Sequence, residues 1–354
     1  MRKTSADEGG LETAARVLSA GGVAVIPTDT VYGLAAHPGF PAAVERLYTL
    51  KQRDAKKPIA LLAADAVGAA KFIGEKAAAI GRRRWPGALT VVSQGEGVRV
   101  PDHDWTRRLI AACGGALRVT SANMSGQRAA TDAEEALGSV GLSADLVVDD
   151  GISRGGTAST VVKVDDEGAL AILRAGPEKF TVLASGSPRR AKILRSCGLD
   201  FTVVKSNAPE VAYEDDPERT VRENALAKQA DEKLRAYGPV LSADTIVWYS
   251  GRIYGKPRTL DEAKEMLATL SGKVHTVFTG VAYNGEVKVV RSEVRFRELS
   301  QEAIEEYVRR VRPLDRAGAY DIDESGDLIV ESYSGSYENI MGLPLEPLKE
   351  WKII

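Results

Sequence analysis

The chain has 354 residues and carries 47 Lys and Arg against 49 Asp and Glu. This length is too great for one typical domain and suits two, each large enough to bury its own core. The balanced charge excludes a polybasic field over the whole chain, and the two cysteines exclude a disulfide framework or a Cys-rich zinc site.

The first predicted elements bring polar residues to the end of a strand. A helix is expected over residues 11–20, and Val23–Ile26 is predicted to be a buried strand. That strand runs directly into the hydroxyl-rich segment PTDTVYGL at residues 27–34. Open α/β sheets usually bind ligands at this end of their strands, so we expect a binding site there.

A basic cluster follows the second predicted helix. This helix begins near Pro41 and ends in Lys51-Gln52-Arg53, with Lys56 and Lys57 soon after. Cations this close together repel one another unless water or a polyanion neutralises them. The charge pattern alone therefore fits a solvated surface as well as a polyanion site.

The stretch TVLASGSPRRAKILRSCG at residues 181–198 joins a predicted strand to a helix through a polar turn. Pro188 suits the first helical position, and Gly198 suits the left-handed residue after the helix end. A helix start presents free N–H groups that attract anions. Four residues at this start can bind such an anion: Ser185, Ser187, Arg189 and Arg190. The stretch predicts a phosphate site; the alternative is a capped surface helix with solvated arginines.

The remaining second half is predicted to surround one buried carboxylate. An acidic loop at 207–216 precedes one long helix from Pro217 to Ala236, and the apolar strand Leu241–Trp248 contains Asp244. A carboxylate inside such a strand is costly unless it is paired or functional. Further predicted elements are a strand at 201–204, a helix opened by a capping box of Thr259 and Glu262, strands 274–283 and 286–298 around Asn284-Gly285, and a helix near 301–311.

Eight motifs in the first half occur in a specific order. They are PTDTVYGL, the helix ending KQR, the KKP turn, WPGALT (85–90), GVRVPDH (97–103), TSANMSG (120–126), STVV (159–162) and ILRAG (172–176). Together they resemble the YrdC-like family of threonylcarbamoyl-AMP synthases over about residues 8–177. The resemblance implies that ATP, L-threonine and bicarbonate become threonylcarbamoyl-adenylate and pyrophosphate, the first step toward N6-threonylcarbamoyladenosine in tRNA.

The same resemblance implies which residues catalyse the reaction and bind its substrates, and which proteins the chain works with. Lys51 and Arg53 are the catalytic cations, and Mg²⁺ accompanies the triphosphate. Threonine and nucleotide contacts fall on Thr28, Tyr32, Lys57, Ser121, Asn123, Ser159, Thr160 and Arg174. Because the product serves tRNA modification, tRNA-modification proteins are the implied partners, and any RNA contact of this chain is weak or local.

The second half is similar to the Maf-like nucleoside triphosphate pyrophosphatases over about residues 180–354. The similarity rests on LASGSPRR, SADTIV, GKP, SGKVHTVFTG, PLDRAGAY and GSYENIMGLP in this order. It implies hydrolysis of nucleoside triphosphates to the monophosphate and pyrophosphate with Mg²⁺, Mn²⁺ or another divalent cation. ASGSPRR and ADT look closer to the branch that acts on dTTP and UTP than to the 7-methyl-GTP branch.

In this second site the similarity assigns roles to the charged residues. Arg189 binds phosphate with the helix start, Lys228 and Lys256 neutralise the triphosphate, and Asp244 activates water or holds the metal. Either Glu210 or Glu214 completes the metal site. Where the family usually reads GAYGIQ, this chain has Asp321-Ile322-Asp323 at the end. If Asp323 replaces the family's glutamine, an acceptor-only anion stands where an amide could donate, which puts base preference in doubt.

We therefore expect two α/β domains, a twisted open α/β sheet over residues 1–177 and a mixed α/β sheet over residues 180–354. One pocket should be ringed by Lys51, Arg53 and Lys57, and the other by Arg189, Lys228 and Asp244. The leading hypothesis is a bifunctional enzyme, cytoplasmic and without membrane contact. Two alternatives stay open: the first half is an RNA-binding module beside a catalytic second half, or the second half is a non-catalytic regulator of division.

Overall fold

The computed structural model describes residues 2–354. These residues form two compact units that divide between Lys179 and Phe180. Both units combine helices with a mixed sheet, which confirms the expected α/β class. Within residues 2–354, no helix combines the length and hydrophobicity needed to cross a bilayer.

The first unit contains five helices and ten strands among its described residues. The helices are α1 Glu8–Ser19, α2 Pro41–Lys51, α3 Ala66–Arg82, α4 Asp104–Ala112 and α5 Ala133–Ser139, with a 3₁₀ turn at Gly141–Ser143. The strands are β1 Arg2–Ser5, β2 Val23–Ile26, β3 Gly33–Ala36, β4 Leu61–Ala63, β5 Leu89–Ser93, β6 Glu96–Arg99, β7 Ala116–Ser121, β8 Leu146–Asp149, β9 Thr160–Val164 and β10 Leu170–Arg174.

The strands of this unit pair in the order β1-β8-β2-β3-β7-β4-β6-β5-β9-β10. The β1/β8, β8/β2, β4/β6 and β5/β9 pairs are parallel, and the others are antiparallel. Alternate residues of β2 point to opposite faces of the sheet. Val23 and Val25 pack with α2 and α5, while Ala24 and Ile26 pack with α1 and α4. Helices therefore cover both faces, and the β2–β3 loop and the end of β7 are left to form a cavity.

The second unit contains seven helices and seven strands among its described residues. The helices are α6 Pro188–Ser196, α7 Pro217–Gln229, α8 Glu232–Arg235, α9 Leu260–Leu270, α10 Gln301–Val311, α11 Tyr337–Met341 and α12 Leu345–Glu350, with 3₁₀ turns at Ala317–Ala319 and Gly326–Leu328. The strands are β11 Thr181–Leu183, β12 Phe201–Val203, β13 Val240–Tyr249, β14 Arg252–Tyr254, β15 Val274–Tyr283, β16 Glu286–Phe296 and β17 Val330–Ser334.

In the second sheet the order is β12-β11-β13-β15-β16-β17, and β14 pairs with the end of β13. The β12/β11 and β11/β13 pairs are parallel, whereas the long strands are antiparallel. The predicted hairpin around Asn284-Gly285 is confirmed, with positive φ values of 50° and 87° at its two turn residues. The predicted helix near 301–311 is confirmed as α10.

The prediction of one helix from Pro217 to Ala236 is wrong. The helix ends at Gln229, and a separate short helix begins at Glu232. Asp231 causes the break, because its side chain accepts a hydrogen bond from Lys233 N and caps the second helix. Aspartate side chains compete for backbone N–H groups in this way and so favour caps over helix interiors.

Close packing of α7 against β15 positions the polar residues of this unit. Gly280 faces α7, and a Cβ there would lie 2.3 Å from the carbonyl oxygen of Val221. In the β13/β15 ladder Gly280 is the partner of Asp244. The missing side chain therefore lets α7 approach the sheet beside Asp244, within reach of Asn224 and Lys228.

Candidate active sites

The first unit has a cavity of about 360 Å³ at the end of β2 and β7. Its polar lining comes from the β2–β3 loop, the start of β9 and three arginines. These residues are Thr28, Thr30, Tyr32, Arg53, Thr90, Arg99, Thr120, Ser121, Ser159 and Arg174. Pro58, Ile59, Val92, Val161 and Leu173 add an apolar wall. Cations and hydroxyls beside an apolar wall suit a ligand with an anionic part and a flat or aliphatic part.

Backbone carbonyls hold two of the cavity arginines in place. Arg53 donates from Nε to the carbonyl of Lys57 at 2.9 Å and from Nη2 to that of Pro58 at 3.1 Å. Arg174 donates from Nε and Nη2 to the carbonyl of Ser159 at 3.0 and 2.8 Å. Burial lowers the pKa of Arg174, and the positive charges of Arg99 and Arg53 lower it further. This mutual repulsion shows that the cavity concentrates positive charge.

Arg99 also lines the cavity, and it was not predicted as a site residue although the motif GVRVPDH contains it. Arg99 lies at the end of β6, is 5% exposed, and pairs with Asp29. It also donates to Thr30 Oγ1 at 2.7 Å and to the carbonyl of Gly87 at 2.9 Å. Burial lowers its pKa despite the neighbouring carboxylate. A lone arginine within the apolar run GVRV was the signal that could have identified it.

The expected ring of Lys51, Arg53 and Lys57 is wrong, because only Arg53 lines this cavity. Lys51 is 1% exposed, and its ammonium donates to the carbonyls of Ser121 and Asn123 and to Asn123 Oδ1. Burial lowers the pKa of Lys51 to about 8, with a further contribution from Arg53. Lys57 is exposed, and its carbonyl rather than its ammonium meets Arg53. Lys51 therefore fastens the loop after β7, and Lys57 points to solvent.

The predicted hydroxyl and amide residues divide into two groups. Thr28, Tyr32, Ser121 and Ser159 line the cavity. Asn123 closes its own loop by donating to the carbonyls of Met124 and Gln127, both at 2.8 Å. Thr160 is fully buried and donates to the carbonyl of Glu178 at 2.9 Å. Asn123 and Thr160 therefore support the loops around the cavity, and only the first group can contact a bound ligand.

Tyr32 presents its ring to the cavity rather than its hydroxyl. The hydroxyl donates to the carbonyl of Gly151 at 2.7 Å and accepts from Asp150 N at 2.9 Å. Burial raises the pKa of Tyr32 to about 12. The phenol is therefore neutral at physiological pH and ties the β2–β3 loop to the segment after β8.

The second unit has a cavity of about 350 Å³ between the β11–α6 turn, α7 and the loops at 315–322 and 340–342. Its charged lining residues are Arg189, Arg190, Lys205, Glu210, Lys228, Lys256, Asp315 and Asp321. Its apolar wall contains Val247, Val277, Tyr320, Ile322, Ile340 and Met341. Cations outnumber carboxylates in this lining, so an anionic ligand is favoured. Lys205 had no sequence signal, and Asp321 was noticed only as part of the segment that departs from GAYGIQ. Loops distant in sequence bring both residues here.

One cation joins two carboxylates at the α7 side of this cavity. Of the expected ring, Arg189 and Lys228 line the cavity, whereas Asp244 is not among its lining residues and is reached through Lys228. Lys228 Nζ lies 2.6 Å from Asp244 Oδ1 and 2.7 Å from Glu210 Oε1. Asn224 Nδ2 donates to the other oxygen of Asp244 at 2.9 Å. Burial raises the pKa of Glu210, but the nearby Lys228, Lys256 and Arg190 lower it below its ordinary value. Glu210 is therefore ionised and available as a ligand or charge partner at neutral pH.

Glu214 lies with different neighbours. Its carboxylate accepts from Ile253 N, and its carbonyl accepts from Trp248 Nε1 at 3.0 Å. These contacts anchor the acidic loop to β13 and β14. Of the two carboxylates left open by the sequence, the structure brings Glu210 to Asp244 through Lys228.

The turn between β11 and α6 is organised by Arg190. This guanidinium is 9% exposed and donates to the carbonyls of Gly342 and Ala243 at 2.7 and 2.9 Å. It donates also to the hydroxyls of Ser185 and Thr245, both at 2.9 Å. Burial lowers its pKa to about 10. Because these bonds occupy most of its five N–H donors, Arg190 supports the cavity wall rather than offering a free phosphate contact.

Ser187 is the N-cap residue of α6, but its side chain makes no capping hydrogen bond. The hydroxyl of Ser185 instead accepts from Ser187 N at 3.2 Å. Both serines line the cavity. The start of α6 therefore directs backbone N–H groups toward the same space as Arg189.

Asp321 restrains Arg189. Asp321 Oδ2 accepts from Arg189 Nη1 at 3.3 Å and from Arg316 Nε at 3.0 Å. Its Oδ1 accepts from the backbone N–H groups of residues 323 and 324. Burial alone would raise the pKa of Asp321, but these hydrogen bonds and the two arginines keep it below its ordinary value. Arg189 therefore faces the cavity in an orientation fixed by a permanent carboxylate.

Asp323 does not line the cavity. Its carboxylate pairs with Lys192 at 2.6 Å and accepts from Tyr337 Oη at 3.2 Å. The side chain is 39% exposed. The expected contact of Asp323 with a bound base is therefore wrong for this cavity, and Asp321 is the aspartate of that segment that reaches it.

Glu210 and Asp244 provide a donor set that fits a divalent cation. Mg²⁺ prefers oxygen ligands and is commonly held by one or two carboxylates together with water and substrate phosphates. Within residues 2–354, no cluster of three or more His, Cys, Asp or Glu side chains is placed to hold a metal ion. Two carboxylates suit a metal whose remaining ligands are water and substrate phosphates.

Sequence comparisons match the two units separately. A sequence model of the family described as Maf-like protein matches residues 181–351. A model of the Sua5/YciO/YrdC family, described as telomere recombination, matches residues 16–176.

Two proteins with high similarity cover the second unit. A dTTP/UTP pyrophosphatase from Thermosipho africanus is 40% identical over 177 residues, which are 49% of this chain and 91% of that protein. A dTTP/UTP pyrophosphatase from Bacillus cereus is 45% identical over 177 residues, covering 48% and 92%. Among solved structures, P. abyssi Sua5 complexed with L-threonine is 25% identical with a TM-score of 0.48, covering 60% of this chain and 66% of that one.

Proposed function

Because the chain belongs to the Maf-like family through residues 181–351 and to the Sua5/YciO/YrdC family through residues 16–176, we propose that it is a bifunctional enzyme. The domain of residues 1–177 forms threonylcarbamoyl-adenylate and pyrophosphate from L-threonine, bicarbonate and ATP. The domain of residues 180–354 hydrolyses dTTP and UTP to the monophosphate and pyrophosphate. Both reactions break the bond between the α- and β-phosphates of a nucleoside triphosphate.

The contact of Lys228 with Glu210 and Asp244 carries the second assignment. Lys228 and Glu210 line the same cavity as Arg189 and the start of α6, and Lys228 also contacts Asp244. Cations and carboxylates of this kind support phosphoryl transfer to water. The relatives at 40% and 45% identity are named dTTP/UTP pyrophosphatases, which supports pyrimidine triphosphates as substrates.

In the proposed hydrolysis, a water oxygen attacks the α-phosphorus and the bond to the bridging oxygen breaks. Asp244 takes the proton of the attacking water. Arg189, Lys228 and Lys256 stabilise the negative charge that moves onto the departing pyrophosphate. Glu210 and Asp244 would hold Mg²⁺ or Mn²⁺, which would neutralise phosphate charge and favour ionisation of a bound water.

The first assignment is supported by the three arginines around one cavity and by the motifs that resemble threonylcarbamoyl-AMP synthases. An oxygen of N-carboxy-threonine, formed from threonine and bicarbonate, attacks the α-phosphorus of ATP. The bond to the bridging oxygen breaks and pyrophosphate leaves. Arg53, Arg99 and Arg174 supply fixed positive charge for this step, and Lys51 holds the loop that carries Ser121.

The second activity is tested with Asp244→Asn in the full chain. Loss of a positioned general base typically costs about 10²–10⁴-fold in rate, so dTTP and UTP turnover should fall by this factor. Pyrophosphate release from a panel of nucleoside triphosphates measures it. A wild-type protein that cleaves no triphosphate would contradict the assignment and favour the non-catalytic regulator.

The first activity is tested in the same Asp244→Asn background, which silences the second cavity. ATP-dependent pyrophosphate release should then require both threonine and bicarbonate. Arg174→Met should reduce that release by about 10²-fold, as expected for the loss of one charged contact in a phosphoryl-transfer site. Pyrophosphate release that does not depend on threonine and bicarbonate, together with RNA binding by the first unit, would favour the RNA-binding alternative.

A further inference from the structure

Lys228 lies between the two carboxylates that form the candidate metal site. Its Nζ lies 2.7 Å from Glu210 Oε1 and 2.6 Å from Asp244 Oδ1. Lys228 comes from the last turn of α7, Asp244 from the middle of β13, and Glu210 from the loop that precedes α7. One ammonium therefore holds together three segments that are separate in sequence.

Burial makes this contact strong. The side chains of Lys228 and Asp244 are only 12% and 10% exposed, so solvent screens their charges little. The second oxygen of Asp244 is satisfied by Asn224. Glu210 is 57% exposed and completes the arrangement from the cavity side. The pair of carboxylates is thus a formed cation position, and a lysine fills it.

A metal ion and this ammonium need the same space. Divalent cations lie about 2.0–2.6 Å from the carboxylate oxygens that bind them, and the ammonium nitrogen lies at a similar distance from the same oxygens. Two cations this close repel, so both cannot hold these carboxylates in this arrangement. The phosphates of a triphosphate can accept the ammonium, because Lys228 lines the cavity that we assign to that ligand.

We infer that Lys228 competes with the divalent cation for Glu210 and Asp244, and that the phosphates of the nucleotide end this competition by accepting the ammonium. The inference rests on the proposed nucleotide hydrolysis and adds an order of binding to it. The metal enters the second cavity together with nucleotide and binds it weakly without nucleotide. Lys228 thereby keeps the two carboxylates paired until a substrate arrives.

The inference is tested by Mn²⁺ binding to the full-length protein without nucleotide, followed by the electron paramagnetic resonance signal of free Mn²⁺. A like charge in contact shifts an equilibrium by about one pKa unit or more, which is tenfold. Lys228→Met should therefore bind Mn²⁺ at least about tenfold more tightly than wild type. Lys228→Gln provides the same comparison if the Met variant folds poorly, and circular dichroism checks both. Any Mn²⁺ that the first unit binds is the same in all variants, so it does not affect the comparison.

Lys256→Met is the matched control, because Lys256 lines the same cavity and acts on Glu210 only through its charge. Direct competition predicts that this variant gains less than about threefold in Mn²⁺ affinity. A non-hydrolysable dTTP analogue should tighten Mn²⁺ binding by wild type and reduce the difference from Lys228→Met. Equal gains in Lys228→Met and Lys256→Met, or no gain in either Lys228 variant, would overturn the inference.

Wild-type dTTP turnover, measured in parallel, distinguishes failure of the proposed competition from failure of the proposed hydrolysis. If wild type hydrolyses dTTP but the Lys228 variants do not bind Mn²⁺ more tightly, the competition is disproved and the proposed hydrolysis stands. If the Lys228 variants bind Mn²⁺ more tightly but wild type hydrolyses no triphosphate, the proposed hydrolysis is disproved. The competition then stands as a property of the carboxylate pair alone.

Discussion

Asp321 illustrates how one residue sets the charge of a cavity. Its carboxylate is shared by Arg189 and Arg316. Arg316 keeps two further carboxylate partners, Asp315 and Glu324, so it depends little on Asp321. Arg189 loses its strongest partner when Asp321 is neutralised. The residue therefore moderates the positive charge that a triphosphate meets.

We predict that Asp321→Asn lowers the KM for dTTP by about three- to tenfold, because an opposite charge beside Arg189 is removed. The same change should lower the free energy of unfolding by about 1–3 kcal/mol through the lost charge-assisted hydrogen bonds. Steady-state kinetics and urea unfolding measure the two effects. Asp323→Asn, outside the cavity, should leave the KM unchanged; an equal effect of both changes would contradict this role for Asp321.

His275 gives the second unit a pH dependence. It is 1% exposed in β15, and its Nε2 meets Tyr320 Oη at 3.0 Å. Burial lowers its pKa from 6.5 to about 3. Between these values the unfolded chain binds a proton that the folded chain does not, so stability falls as the pH drops below 6.5 and is unaffected by this residue above it.

The free energy of unfolding should therefore fall by about 2 kcal/mol from pH 6.5 to pH 5 because of His275. Other groups titrate in the same range, so the matched comparison is His275→Gln. Urea unfolding at a series of pH values should show a shallower slope for that variant. Identical slopes for wild type and variant would show that His275 is protonated without cost in the folded state.

Features that depend on neighbouring residues in the sequence could be predicted. Contacts between residues far apart in the sequence could not. The start of α2 was predictable because Pro41 suits the first helical position. Its end was predicted only within the KQR segment, and the structure ends it at Lys51 because Gln52 turns left-handed. Lys51 was misplaced because its acceptors, at Ser121 and Asn123, lie about seventy residues away. Charge pattern identified a basic cluster, but only the folded β7 loop decides which of its members turns inward.

At the scale of elements, the contact of α7 with β15 decides whether the second cavity can work. Gly280 has no side chain to separate the helix from the sheet, and a Cβ there would lie 2.3 Å from the backbone of Val221. Asn224 and Lys228 depend on this approach to reach Asp244. The glycine is therefore a structural condition for the charged cluster, although it touches none of it.

We predict that Gly280→Ala lowers the free energy of unfolding by about 1–3 kcal/mol, as expected for overpacking. It should also reduce dTTP turnover, because α7 moves away from Asp244. Thermal unfolding and turnover measure the two effects. Gly138→Ala on α5 is the control, since a Cβ there meets nothing within 4 Å. Normal turnover in Gly280→Ala would show that the cluster tolerates a displaced helix.

Elements were predicted well where local signals set them. The hairpin of β15 and β16 follows from Asn284-Gly285, and α10 was predicted at its observed limits. The break between α7 and α8 was missed because the periodicity of the segment continues across Asp231. Capping by that aspartate outweighed the helical pattern. The close packing of α7 on β15 at Gly280 also had no sequence signal, because it depends on which helix covers β15.

At the scale of the whole molecule, two units with their own cores and their own cavities predict two independent activities. Asp244→Asn should abolish dTTP turnover and leave threonine-dependent pyrophosphate release within about twofold of wild type. Arg174→Met should do the reverse. Both are measured in the full chain, and additivity is expected for sites without shared partners. Loss of both activities in either variant would show that the two catalytic sites are energetically coupled.

The pairing of β8 has a consequence for synthesis of the protein. β8 lies between β1 and β2, so residues 146–149 separate two strands that the ribosome makes more than a hundred residues earlier. Until these residues leave the exit tunnel, Val23–Ile26 and Arg2–Ser5 lack the strand that joins them. The nascent first unit therefore exposes unpaired strand edges through most of its translation. The need for chaperone protection should fall once β8 emerges and end once β9, the partner of β5, has followed it.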